Sequence, residues 1–191
     1  MDEDRTSRQA DAGARPGAVF LDRDGTIIED RGHLGSIEQV VFYPRALAAL
    51  RELGRSFRLF IVTNQTGVGE GTITAGQARA VNRHVVERLA AGGVEIVRTY
   101  TCPHRRSEGC ICIKPNPHWL LEAARAYDVD LARSWVVGDH PHDVELARRA
   151  GARGVYVLTG HGAKHRADVP QGTSVAEDIS EAARLILDER S

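Results

Sequence analysis

The chain has 191 residues, 42% of them hydrophobic and 27% charged, with a formal net charge of −1 at pH 7. That length suits one domain with a substantial core, and a charge so near zero carries no field that would draw it to nucleic acid or a membrane surface. No apolar run approaches the ~18–20 residues of a membrane span. Residues 1–16 lack the apolar core of a signal peptide and read as a disordered tail before a single domain at 17–191. A cytoplasmic monomer, with no nucleic-acid or membrane partner, is therefore expected. All three cysteines fall between positions 102 and 112. So tight a cluster points to a metal in a reducing compartment, because a disulfide framework would spread an even number along the chain.

The first apolar run, Ala18–Leu21, predicts a strand, and it ends on Asp22-Arg23-Asp24-Gly25-Thr26. A long irregular stretch, Thr26–Phe42, follows. Pro44 suits a first helical position, with Leu47, Leu50 and Leu53 behind it. Leu59–Val62 is the next strand. Thr74 is a candidate N-cap for a helix with Ala78, Val81, Val85 and Leu89 on one stripe, stopped by Gly92-Gly93. Val94–Tyr100 reads as a strand, and Cys102–Pro115 as a loop. Asn116-Pro117 opens a helix through Leu120, Leu121 and Ala124. Trp135–Val137 is a strand, Asp143–Ala150 a helix, Val155–Leu158 a strand, and Glu177–Glu189 the last helix.

Strands alternating with helices imply βαβ units, right-handed crossovers and a mainly parallel sheet of five or more strands. The apolar character of the strands is continuous, so both sheet faces should be covered, giving a Rossmann-like three-layer α/β/α fold. Ligands bind such sheets beyond the carboxyl ends of the strands. Asp22, Thr63 and Asp139 each follow a strand at that end.

Asp22 and Asp24 have the spacing for a nucleophile and a general acid. An aspartate needs no deprotonation at neutral pH, but it needs a cation to approach an anion. A carboxyl two residues on can protonate a leaving oxygen and then activate water. Asp139 would complete a magnesium site: two carboxylates, a backbone carbonyl from Asp24, phosphate and waters fill an octahedral shell. Thr63 offers a hydroxyl and backbone N–H groups to phosphoryl oxygens. Cys102, His104, Cys110 and Cys112 form a Cys₃His set suited to tetrahedral zinc, at a spacing tighter than the usual finger. Free cysteines in a mobile loop are the alternative.

Asp22–Thr26 resembles the first motif of the haloacid dehalogenase superfamily of phosphatases. Thr63-Asn64-Gln65-Thr66-Gly67-Val68-Gly69 resembles the second, Lys114-Pro115 the third, and Gly138-Asp139 with Asp143 the fourth. The Thr-Asn-Gln form and the cysteine loop are similar to the group of heptose 1,7-bisphosphate and histidinol-phosphate phosphatases. The resemblance implies an Mg²⁺-dependent phosphatase working through an aspartyl-phosphate, with Asp22, Asp24, Thr63 and Lys114 catalytic. It implies magnesium on Asp22, Asp24 and Asp139, and structural rather than catalytic zinc on the Cys₃His set.

It further implies a short flap after the first strand and no large cap domain. Substrate contacts would come from flap residues Asp30, Arg31, Gly32 and His33, from Asn64, Gln65 and Thr66, and from Ile113 and Lys114. The group usually carries Arg-Lys-Pro at the third motif where this chain has Ile113-Lys114-Pro115. Arg105 and Arg106, inside the cysteine loop, are candidate replacements. The expected substrate is a small soluble sugar bisphosphate, first the 7-phosphate of a heptose 1,7-bisphosphate. Histidinol phosphate or another small sugar phosphate is the alternative. A zinc-stabilised binding module without turnover is the reading of a different class. His140, His142, His161 and His165 receive no role.

Overall fold

The structure, a computed structural model, describes residues 15–189. Of the expected tail, residues 1–14 lie outside the described range. The Pro16 carbonyl accepts a hydrogen bond from the Asp130 N–H at 3.0 Å.

Six parallel strands form one sheet: β1 (Ala18–Leu21), β2 (Arg58–Asn64), β3 (Arg98–Cys102), β4 (Trp135–Gly138), β5 (Arg153–Val157) and β6 (Ser174–Ala176). Their spatial order is β3-β2-β1-β4-β5-β6, which puts β1 and β4 side by side at the centre. Connecting them are α1 (Ala46–Gly54), α2 (Thr66–Glu70), α3 (Ala75–Ala91), α4 (His118–Tyr127), α5 (Pro141–Ala150) and α6 (Ile179–Asp188).

Alternate strand residues feed two cores, as the period of two requires. Val19, Leu21, Leu59, Ile61, Val137 and Val155 pack with α1, α3 and α6 on one face. Ala18, Phe20, Phe60, Val62 and Val136 pack with α4 and α5 on the other. On that second face Phe20, Phe60, Tyr100 and Trp119 form a ladder of stacked rings with centroids 5.1, 6.3 and 5.1 Å apart. Burying each such ring stabilises the fold by about 1.5–3 kcal/mol. Helix starts follow local chemistry. The Thr74 hydroxyl accepts from the Gln77 N–H in a capping box, and Asp178 caps α6 through the N–H groups of Ser180 and Glu181.

Three elements differ from expectation. The strand expected at 94–100 runs instead over Arg98–Cys102, because Val94 turns into the core between α3 and the sheet. The Gly-rich Thr66–Glu70 segment is a short helix. A sixth strand, Ser174–Ala176, adds the outer edge. Among the described residues no helix is long and apolar enough to cross a membrane.

Candidate active site

β1 and β4 end side by side, and the backbone N–H of Asp22 donates to the Val137 carbonyl at 2.9 Å. The chain leaves both strands on an aspartate. Carboxylate oxygens of Asp22, Asp139 and Asp143 converge within 4.8 Å of one another. Asp143 stands in the first turn of α5, whose N-terminal partial charge favours it. The Lys114 ammonium, also buried, lies 2.7 Å from both Asp22 Oδ1 and Asp143 Oδ1. So close a packing needs residues without side chains. Gly25 and Gly160 have φ of +81° and +54°, and a Cβ on either would overlap the Asp139 carboxylate.

Crowding governs the titration of these groups. Burial and the neighbouring carboxylates of Asp22 and Asp143 push Asp139 up to about 8, against the pull of the His161 N–H. Burial raises Asp22 as well, with Lys114 opposing it. For Lys114, burial works against the charge, but Asp143 and Asp22 outweigh it and hold the ammonium above its ordinary range.

Asp24 borders the same cleft but has other partners. Arg23 Nε donates to its Oδ2 at 3.0 Å and Arg23 Nη2 to its Oδ1 at 2.9 Å. Gln65 Nε2 adds a bond to Oδ2 at 2.9 Å and bonds Thr63 Oγ1 at the same distance. The net effect on Asp24 is a raised pKa, from burial, which Arg23 opposes. Asn64 plays a different part: its Oδ1 accepts from the Lys114 N–H at 3.1 Å, tying the end of β2 to the lysine loop.

Above these residues lies a cleft of about 300 Å³, lined among others by Asp30, Gly32, His33, Thr66, Arg106 and His142. The structure brings Asp30, Gly32, His33, Asn64, Gln65 and Thr66 to this cleft, but not Arg31 or Ile113. Arg31 turns outward to Glu29, Nη2 to Oε2 at 2.7 Å. Ile113 is buried against Cys102 and Cys112. Of the two loop arginines, Arg105 is turned to the Gly69 carbonyl, whereas Arg106 borders the cleft, its Nη2 3.4 Å from His142 Nδ1. His140 and His142 stack at 4.4 Å between centroids. Burial, then the charged neighbours, lowers both, His140 to about 4, so neutral rings line this wall at pH 7. His161 donates its N–H to Asp139 at 2.7 Å, and its Nε2 lies 2.9 Å from Asp30 Oδ2.

The cysteine loop forms a second cluster. The Cys102, Cys110 and Cys112 sulfurs are 3.3–3.6 Å apart, and His104 Nδ1 stands 3.7 Å from Cys102 Sγ and 3.3 Å from Cys112 Sγ. The three thiols are free.

A family model described as HAD-hydrolase-like matches residues 111–182. The D-glycero-beta-D-manno-heptose-1,7-bisphosphate 7-phosphatase of Bordetella bronchiseptica is 34% identical over 175 residues, covering 90% of this chain and 98% of its own. Its counterpart from Escherichia coli is 36% identical over 138 residues, 68% of this chain and 72% of its own. This chain belongs to the haloacid dehalogenase-like phosphatase family. The solved D,D-heptose 1,7-bisphosphate phosphatase from B. bronchiseptica, complexed with magnesium and phosphate, superposes with a TM-score of 0.84 at 33% identity, over 91% of this chain and 99% of that one. A more distant 2-haloacid dehalogenase, at 15% identity and a TM-score of 0.61, shares the fold.

Within this family's fold the two clusters suit two different ions. Three converging carboxylates, two of them buried, against one ammonium leave excess negative charge, and oxygen donors of this kind fit a hard divalent cation. Asp143, set beside Asp139 by the fourth motif, contributes its carboxylate to this group. The sulfur and nitrogen separations match the edges of a tetrahedron around zinc, about 3.7 Å for Zn–S bonds of ~2.3 Å. Arg23 is the residue that sequence reasoning passed over. It is fully buried, and an arginine between two aspartates otherwise reads as a solvated charge.

Proposed function

We propose that this protein is a magnesium-dependent phosphatase that removes the 7-phosphate of a heptose 1,7-bisphosphate. The convergence of Asp22, Asp139 and Asp143 around Lys114 carries the reading. It fits the phosphatases that cover nearly the whole chain at 34% identity far better than a binding module without turnover.

Asp22 is the nucleophile. One of its oxygens bonds to phosphorus, and the ester P–O bond breaks with its electron pair passing to the ester oxygen. That oxygen takes a proton from Asp24. A water then attacks the phosphorus of the aspartyl-phosphate and gives its proton to Asp24, which releases phosphate and restores both residues. Lys114 and Thr63 stabilise the charge on the transferring phosphoryl oxygens. Asp22 and Asp139, with Asp143 beside them and the Asp24 carbonyl, would hold Mg²⁺. When bound, the ion screens the repulsion between the Asp22 carboxylate and the anionic ester.

Cys102, His104, Cys110 and Cys112 would hold zinc in a structural rather than catalytic role. Asp30, Gly32, His33, Asn64, Gln65 and Thr66 surround the sugar, and Arg106 takes over the distal-phosphate role of the arginine that Ile113 replaces. The reading takes the chain to act in the cytoplasm as a monomer.

The test compares kcat/KM on heptose 1,7-bisphosphate, histidinol phosphate and simple sugar phosphates. A strong preference for the bisphosphate is expected; equal rates on all three would overturn the substrate assignment. Asp22→Asn should lose at least about 10³-fold in kcat, and turnover that persists in it would overturn the nucleophile.

A further inference from the structure

We propose that Arg23 is a positioning residue for Asp24, held in register by Asn82 of α3 and Thr101 of β3, and that it fixes which Asp24 oxygen carries the proton in catalysis. The inference rests on the phosphatase reading and deepens it.

Arg23 has no exposed surface. A buried guanidinium is costly unless its donors are satisfied in good geometry, so its surroundings are built around it. On one side its fork meets Asp24, Nε donating to Oδ2 at 3.0 Å while Nη2 lies between the two oxygens, 2.8 Å from Oδ2 and 2.9 Å from Oδ1. On the other, Nη1 donates to Asn82 Oδ1 in a short hydrogen bond, and Asn82 Nδ2 donates onward to Thr101 Oγ1 at 3.0 Å. Asn82 is buried on the same side of α3 as Val81, Val85 and Leu89, where an apolar residue would pack more cheaply. Its amide faces both ways along this line, accepting from Arg23 and donating to Thr101.

The consequence falls on the two oxygens of Asp24. Oδ2 accepts from Arg23 Nε and from Gln65 Nε2, with Thr63 Oγ1 at 3.5 Å. A carboxylate oxygen has about two lone-pair sites, so Oδ2 is fully used. Oδ1 takes one bond from Arg23 Nη2 and keeps a site for a proton. The fork thus selects Oδ1 as the oxygen that hands its proton to the leaving ester oxygen and later takes one from water. Without the fork, Asp24 can rotate about χ2 and exchange the two oxygens, and a displacement of about 1 Å is enough to cost about 10²-fold in rate.

Two variants and two substrates test this. Arg23→Lys keeps the charge and loses the fork; Asn82→Ala leaves the fork and removes its anchor. A sugar phosphate leaves as an alkoxide that needs the proton, whereas p-nitrophenyl phosphate leaves as a stable phenolate that does not. Because kcat/KM ends at departure of the leaving group and leaves out the water step that both substrates share, it is the constant to compare. Arg23→Lys should lose about 10- to 100-fold in kcat/KM on the sugar phosphate and less than about threefold on p-nitrophenyl phosphate. Asn82→Ala should show the same selectivity at about 3- to 10-fold, and it carries the test alone if Arg23→Lys does not fold. Equal losses on both substrates, or no loss on either, would overturn the proposal. No turnover of either substrate by the unaltered protein would overturn the phosphatase reading itself.

Discussion

The two loops that overhang the strand tips are built on opposite principles. The flap after β1 is held by ordinary means. Ile27, Ile28 and Leu34 are buried, and main-chain bonds run from Glu29 to Val41 and from Tyr43 to Ile27. The loop after β3 has a core of Cys102, Cys112 and Ile113, with Cys110 and Trp119 packed against it. Its sulfurs converge where apolar side chains would otherwise be needed. One wall of the cleft therefore rests on packing, and the facing wall, which carries Arg106, rests on four metal-type ligands. Each wall can therefore be disturbed without the other.

The largest effect should come from the second wall. Removing zinc, or Cys112→Ser, should lower stability by more than about 4 kcal/mol, a drop in Tm of roughly 10 °C read by thermal melting. Elemental analysis should give about one zinc per chain; a zinc-free chain of full stability would erase the contrast. On the first wall, Leu34→Ala should cost about 2–4 kcal/mol through the cavity it leaves, with the zinc content unchanged. Arg106→Ala should raise KM for a sugar bisphosphate about tenfold and leave a monophosphate unaffected. Arg31→Ala, on the flap but turned to Glu29, should change neither constant by more than about twofold.

The smallest effect concerns the site that both walls enclose. Asp139, ordinarily near 4, is raised to about 8 in the metal-free protein. Its neutral form is favoured in the fold, so its contribution to stability is complete below pH ~4 and is lost as pH rises through 8. A divalent cation relieves that loss. The rise in Tm on adding Mg²⁺ should therefore be larger at pH 8.5 than at pH 6; an equal rise at both would contradict the crowding of carboxylates.

The contrast between walls also explains what was legible in the sequence. Asp22, Asp24, Lys114 and Asp139 are legible because each stands at a fixed offset from an apolar strand or a rigid Lys-Pro turn. The cysteines are legible because their chemistry is local. The cleft's distal wall is not, since whether Arg105 or Arg106 faces it depends on a single 3₁₀ turn over Arg106–Glu108. Nor is the Arg23–Asn82 pair, which joins β1 to α3 across 59 positions and is signalled by nothing but burial. The two missed elements have their own reasons. Ser174–Ala176 is too short and polar to read as a strand, and three of the residues in Thr66–Gly71 are glycines, which disguises a helix as a loop. The strand expected at 94–100 began on apolar residues that pack into the core ahead of the paired strand.

The pairing of β2 with β3 has a further consequence. In that ladder Asn64 stands opposite Cys102. Asn64 holds the backbone of Lys114, whose ammonium lies between Asp22 and Asp143, and Cys102 is the most deeply buried sulfur of the cysteine cluster. The alignment of two strands is thus the ruler that sets the separation of the carboxylate and cysteine clusters. A slip by one residue would turn Cys102 to the opposite face of the sheet and unhook Asn64 from the lysine loop. Whatever holds one cluster together therefore guards the strand alignment on which the other depends.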